Sequence, residues 1–180
     1  VSLSDGGFVV TWESWNQDGF RNGIYGQRYD DKGAFIGDEF QINTYTEESQ
    51  SRPSVASLSG GGFIVTWDSY NQTSEGEIFG QRYDSLGKPA GEEFQINTEI
   101  GYGQYHPSVT GLTNGGFVVT WDSYGQDLHG NGIFSQRYDG VGNAIGSEFK
   151  INTYTLDEQS KSSVASLDDG GFIVTWQSHG

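Results

Sequence analysis

The sequence predicts an all-β repeat protein built from four-stranded antiparallel blades, a β-propeller-like array. A β-sandwich made of two meanders is the alternative. Three observations lead there. The segment Gly-Gly-Phe-Val/Ile-Val-Thr-Trp begins at Gly6, Gly61, Gly115 and Gly170, spaced by 55, 54 and 55 residues, and a fixed period of this size marks a repeat architecture. The rest of the unit follows in phase: Gln27-Arg28-Tyr29-Asp30 recurs at 81–84 and 136–139, Glu39-Phe40 at 93–94 and 148–149, and Asn43-Thr44 at 97–98 and 152–153. Finally, the apolar runs are short, rich in β-branched and aromatic residues, and separated by Gly, Asn, Asp and Ser.

The second copy shows the four predicted strands in order. Residues 53–58, PSVASL, form strand a, whose small side chains suit a crowded innermost position. The turn Ser59-Gly60-Gly61-Gly62 leads into strand b, 63–69, FIVTWDS. A polar loop precedes strand c, 78–84, IFGQRYD, and a Gly- and Pro-bearing turn reverses the chain into strand d, 93–98, EFQINT, polar enough for a rim. Strand b places Phe63, Val65 and Trp67 on one face and Ile64 and Thr66 on the other, so the sheet needs cover on both sides. A blade between two neighbours meets that need. The chain divides into repeat 1 (1–52), repeat 2 (53–106), repeat 3 (107–161) and the start of repeat 4 (162–180). It opens in mid-repeat, which reads as a piece of something longer.

Nine Lys and Arg against 24 Asp and Glu give a formal charge of −15, which repels phosphate backbones and anionic lipid, so neither nucleic acid nor a membrane surface is an expected partner. No apolar run approaches the roughly 18 residues needed to span a bilayer. The chain has no Cys, which excludes disulfides, zinc thiolate sites and thiol chemistry.

The pattern GGFxVTWxS, a Gln/Asp/Gly loop, IxxQRYDxxGxxxGxEFxINT and QxxPSVxxL resembles repeats of very large secreted bacterial proteins of the hemolysin-type calcium-binding and adhesin kind. That resemblance implies an extracellular or cell-surface location.

Candidate chemistry concentrates in the b–c loops. Asp18 aligns with Asp127 and Asn22 with Asn131, and oxygen ligands four apart in a Gly-bearing loop can converge on Ca²⁺. The same residue types also make Asx-turns. Each complete loop opens on an aromatic, Trp15, Tyr70 or Tyr124, with His179 at the matching place. Such rings can stack on a sugar while Asp68, Asn71 or Gln126 bind hydroxyls, or pack on the next blade. Trp12, Trp67, Trp121 and Trp176 are expected between adjacent blades. Arg28, Arg82 and Arg137 on strand c are expected to pair across the hairpin with Glu39, Glu93 and Glu148, and Asp30, Asp84 and Asp139 to fix the c–d turn. His106, His129 and His179 fall at unrelated repeat positions, and no nucleophile elbow or HExxH motif occurs, so no enzymatic activity is expected. The expected function is a non-catalytic structural or adhesive module, Ca²⁺-stabilised, that associates with copies of itself or with the rest of its parent through blade faces. A lectin-like, glycan-binding module is the alternative.

Overall fold

The computed structural model describes residues 1–73, 75–127 and 129–179. All regular structure among them is extended. The first sheet pairs β1 (Phe8–Trp15), β2 (Asn22–Tyr29) and β3 (Phe35–Gln41), with Val1 and Ser2 bridging β1 as the stub of an inner strand. The second holds β4 (Gln50–Ser57), β5 (Phe63–Ser69), β6 (Glu77–Tyr83) and the two-residue β7 (Phe94–Gln95). The third holds β8 (Gln104–Gly111), β9 (Phe117–Tyr124), β10 (Asn131–Tyr138) and β11 (Ala144–Lys150), and the fourth β12 (Gln159–Ser166) and β13 (Phe172–Ser178). Every pairing between these strands is antiparallel and sequential. The innermost strands start earlier than the pattern suggests: β4 already pairs at Gln50 with Ser69.

The sheets stack face to face, and each interface joins unlike surfaces. Phe63, Val65 and Trp67 of β5, with Phe79 and Tyr83, enter the first blade against Val9, Ile24 and Ile42. The opposite face, Ile64, Ile78 and Ile96, receives Phe117, Val119, Trp121 and Phe134 of the third blade. Val118 and Leu112 then meet Val164, Phe172 and Val174 of the fourth. The central sheets are therefore covered on both sides, which a two-sheet sandwich does not provide.

Burial of the four tryptophans follows position in this stack. Trp67 and Trp121 are fully buried, and Trp121 Nε1 donates to Gln104 Oε1 at 2.8 Å. The expectation fails for the outer pair: Trp12 is half-buried and Trp176 is 39% exposed. Trp12 lies on the face of the first blade that no described blade covers, and the sheet of Trp176 is only two strands wide.

The repeated diglycine has a steric cause. Gly61 adopts φ +93° in the a–b turn, while a Cβ on Gly62 would lie 2.0 Å from the Tyr83 carbonyl oxygen. At the axis the inner strands are equally close: a Cβ on Gly111 would lie 2.1 Å from the Ser57 carbonyl oxygen.

Polar latches join blades in sequence. Arg28 Nη2 donates to Ser85 O at 3.0 Å, and Arg82 donates to Gly140 O and Val141 O, both at 2.6 Å. Arg28 and Arg82 thus grip the c–d turn of the following blade, not the glutamates of their own hairpin. Register explains the correction: Arg28 faces Ile36 and Arg137 faces Ile145, while Glu93 and Glu148 accept from Thr44 and Thr98 of the preceding blades. In the c–d turns Asp30, Asp84 and Asp139 each accept two backbone N–H groups through Oδ1.

Candidate functional site

Each complete inner strand carries a bulge at the same place, between Ser51 and Ser54, Tyr105 and Ser108, and Ser160 and Ser163. The bulged residues are Arg52, His106 and Lys161, all in the left-handed region at φ 53°, 55° and 54°. Such a backbone costs a non-glycine residue on the order of 1–3 kcal/mol, and a bulge re-aims the side chain it carries. Here the three basic side chains come to one end of the axis. With Pro53, Ser54, Pro107, Ser108 and Ser162 they line a cleft of about 330 Å³.

Carboxylates from strand b hold this ring together. The backbone N–H of each bulged residue donates to the acid of the preceding blade: Arg52 to Glu13 Oε2 at 3.2 Å, His106 to Asp68 Oδ1 at 3.0 Å, and Lys161 to Asp122 Oδ2 at 3.0 Å. The side chains turn to the acid of their own blade. Arg52 forms an ion pair with Asp68, and His106 Nδ1 donates to Asp122 Oδ2 at 2.8 Å. Asp68 is completely buried, and that burial pushes its carboxyl up to about 7 even though Arg52 and, less strongly, His106 favour the charged form. Asp122 is equally inaccessible, and its Oδ1 has no hydrogen-bond partner.

An aromatic pair contacts Arg52 outside the lining of the cleft. The Tyr70 and Tyr105 rings lie 6.0 Å apart, the Arg52 guanidinium sits 5.8 Å from the Tyr105 centroid, and Arg52 Nη2 donates to Tyr70 Oη at 3.5 Å. Of the three loop aromatics singled out in the sequence, Tyr70 therefore belongs to this site. Trp15 and Tyr124 project from the same end of the blades, 72% and 59% exposed.

The b–c loop oxygens take up other work. Asp18 Oδ1 accepts from Phe20 N at 3.2 Å in an Asx-turn and its Oδ2 accepts from Gln41 Nε2 at 3.2 Å. Asp127 accepts from Asn152 Nδ2 at 3.4 Å. Asn22 and Asn131 start strands β2 and β10, paired with Trp15 and Tyr124. Among the described residues no group of three or more His, Asp or Glu side chains is placed to hold a metal ion.

His106 is the residue that sequence reasoning misplaced. It occupies the repeat position of Arg52 and Lys161, a position defined by a basic side chain and not by residue identity. A larger cleft of about 520 Å³ lies between the second and third blades, but it is lined largely by turn residues around Arg82, whose guanidinium is already engaged by Gly140 and Val141.

No family model matches the sequence, and no curated protein does. Solved structures do share its fold. An endo-arabinase from Bacteroides thetaiotaomicron superimposes with a TM-score of 0.59 at 16% identity, over 96% of this chain and 66% of that one. An α-L-arabinofuranosidase from Lactobacillus brevis gives 0.57 at 12%, over 97% and 62%. The chain has the β-propeller fold. This chain thus spans less than two thirds of the length of those two enzymes. The comparison overturns the expectation that no enzymatic activity accompanies this chain's fold, since both of those propellers are named for enzymatic activities.

Proposed function

We propose that this chain is a carbohydrate-binding propeller unit of a secreted bacterial protein and that the sugar seats at the axial mouth. The observation that carries the reading is the convergence there of a shallow, open cleft, hydrogen-bonding groups from three successive blades, and a Tyr70–Tyr105 pair packed on the Arg52 side chain. Carbohydrate recognition needs that combination: an apolar face for the C–H side of the ring and fixed polar groups for its hydroxyls. The names of the two propellers above support the ligand class, and the resemblance to repeats of secreted bacterial proteins supports the location. A glycan array tests it. Saturable binding to at least one glycan, abolished by Tyr105→Ala, is the expected result, and an array without a saturable signal overturns the reading. The same samples assayed for new reducing ends report hydrolysis.

A second reading, association through blade faces, is favoured by the outer surfaces. The first blade shows Val10, 43% exposed, beside Trp12, while the fourth shows Ile173, 52% exposed. The residues equivalent to these meet inside the stack, where Val65 and Trp67 pack on the aliphatic face of the first blade and Ile64 on the aromatic face of the third. Such faces are heterologous and complementary, so a further copy or more of the same repeat covers them. Light scattering that reports a monomer at every concentration argues against it.

A further inference from the structure

We infer that the axial mouth takes an acidic saccharide, its carboxylate held among Arg52, His106 and Lys161, an inference that rests on the carbohydrate reading above. The first support is the distribution of charge. The chain has only nine Lys and Arg against 24 acids, yet the residues lining this cleft include three basic side chains and no acidic one. Two of the three acids of the ring lie behind the cleft and the third, the exposed Glu13, stands outside its lining: Asp68 and Asp122 are 0% and 1% exposed, whereas the side chains of Arg52 and His106 are 39% and 40% exposed and Lys161 is open to solvent. A ligand entering this cleft from solvent therefore meets the basic side chains first.

The charges are also not all committed. Asp68 is engaged by Arg52, and Asp122 by the His106 ring and the Lys161 backbone. Among the described residues no carboxylate lies within ion-pairing distance of the Lys161 ammonium. The floor of the cleft adds hydroxyl donors. Ser54 Oγ accepts from Val109 N at 3.2 Å and Ser108 Oγ from Val164 N at 3.1 Å, so each hydroxyl keeps its own proton to donate.

The backbone supplies an independent argument. A left-handed position is relieved of strain by Gly or Asn, and the loops of this chain use Asn16, Asn71 and many glycines at such positions, with acidic Glu48 and Asp157 at two more. The axial bulge instead carries Arg, His and Lys in its three copies, retaining the strain and changing the residue while keeping its basic character. What is common to the three is a basic donor delivered to the axis. The net charge of −15 does not oppose this at close range, because charges more than about 8 Å away are screened at physiological ionic strength.

Isothermal titration of the full chain tests the inference with a panel of oligouronates, their neutral methyl esters and inorganic phosphate. We expect an oligouronate to bind, its methyl ester to bind at least about tenfold more weakly, and phosphate to bind more weakly than either. Lys161→Gln should weaken uronate binding about three- to tenfold with an unchanged circular dichroism spectrum, and Lys161→Arg should restore it. Equal affinity for ester and acid, or an unaffected Lys161→Gln, overturns the anionic ligand and leaves the carbohydrate reading standing. Phosphate binding as tightly as the uronate overturns the saccharide. Failure of the panel and of every neutral glycan overturns both readings.

Discussion

Four tryptophans at one repeat position offer an internally controlled test of the blade stack. In the second and third blades Trp67 and Trp121 are fully enclosed. Burying about 200 Å² of indole at about 25 cal/mol per Å² is worth about 5 kcal/mol, and truncating such a ring to Ala costs about 3–5 kcal/mol once the cavity is included. Trp176 keeps 39% of its surface in water, so its area contribution falls to about 3 kcal/mol. With no closed cavity left behind, Trp176→Ala should cost about 1–2 kcal/mol. Trp12→Ala should fall in the same lower range. Denaturant unfolding followed by far-ultraviolet circular dichroism measures all four without relying on the fluorophore being removed. The outer substitutions should also appear as an early, partial transition, because a stack of repeats can lose an end unit first. Four equal costs, or a Trp67→Ala cost below about 1 kcal/mol, would refute the packing described here.

Three further outcomes are expected. Arg82→Ala should lose about 2 kcal/mol through its two 2.6 Å bonds to the next blade, whereas Arg137→Ala, without such a turn among the described residues, should lose less; equal melting curves argue against the latch. Gly62→Ala, whose methyl group meets a backbone oxygen at 2.0 Å, should cost about 1–3 kcal/mol or more, and Gly60→Ala, with nothing within 4 Å, should stay within about 0.5 kcal/mol of wild type. The pH dependence follows from Asp68, whose carboxyl is raised by burial from 3.8 to about 7. The folded state then binds this proton more tightly than the unfolded chain, so its contribution is full below about pH 4 and is lost as pH rises to about 7, up to about 4 kcal/mol over that window. Asp68→Asn should gain on wild type across the same range, and parallel pH–stability curves would contradict the assignment.

The fold was readable because its signals are periodic and chemically literal. Phe63, Val65 and Trp67 alternate with Ile64 and Thr66, and the diglycine recurs because each turn meets the same steric limit. The axial site was not readable for two reasons. Its defining position changes from Arg52 to His106 to Lys161, so a search for identical residues passes over it. Its left-handed bulge is also unmarked by Gly or Asn, so the sequence pattern starts the inner strand after it, at Pro53 in place of Gln50. The arginine partners are not legible because spacing alone does not tell a bond within a hairpin from one that crosses to the next sheet. Asn43, Asn97 and Asn152 were noted only as repeats, yet each Oδ1 accepts a buried strand c amide at 2.7–2.8 Å.

The latches between blades have a fixed polarity: at the outer strands a guanidinium or a threonine reaches forward to a turn carbonyl or a glutamate of the following unit, and at the axis a backbone N–H reaches back to an acid or serine of the preceding one. Each unit is thus both giver and receiver and is interchangeable with its neighbour. Duplicating or excising one whole unit of about 55 residues restores every such bond at the new junction, while an insertion of any other length leaves one side without its counterpart. Lengthening by whole units is in this way mechanically neutral for the scaffold.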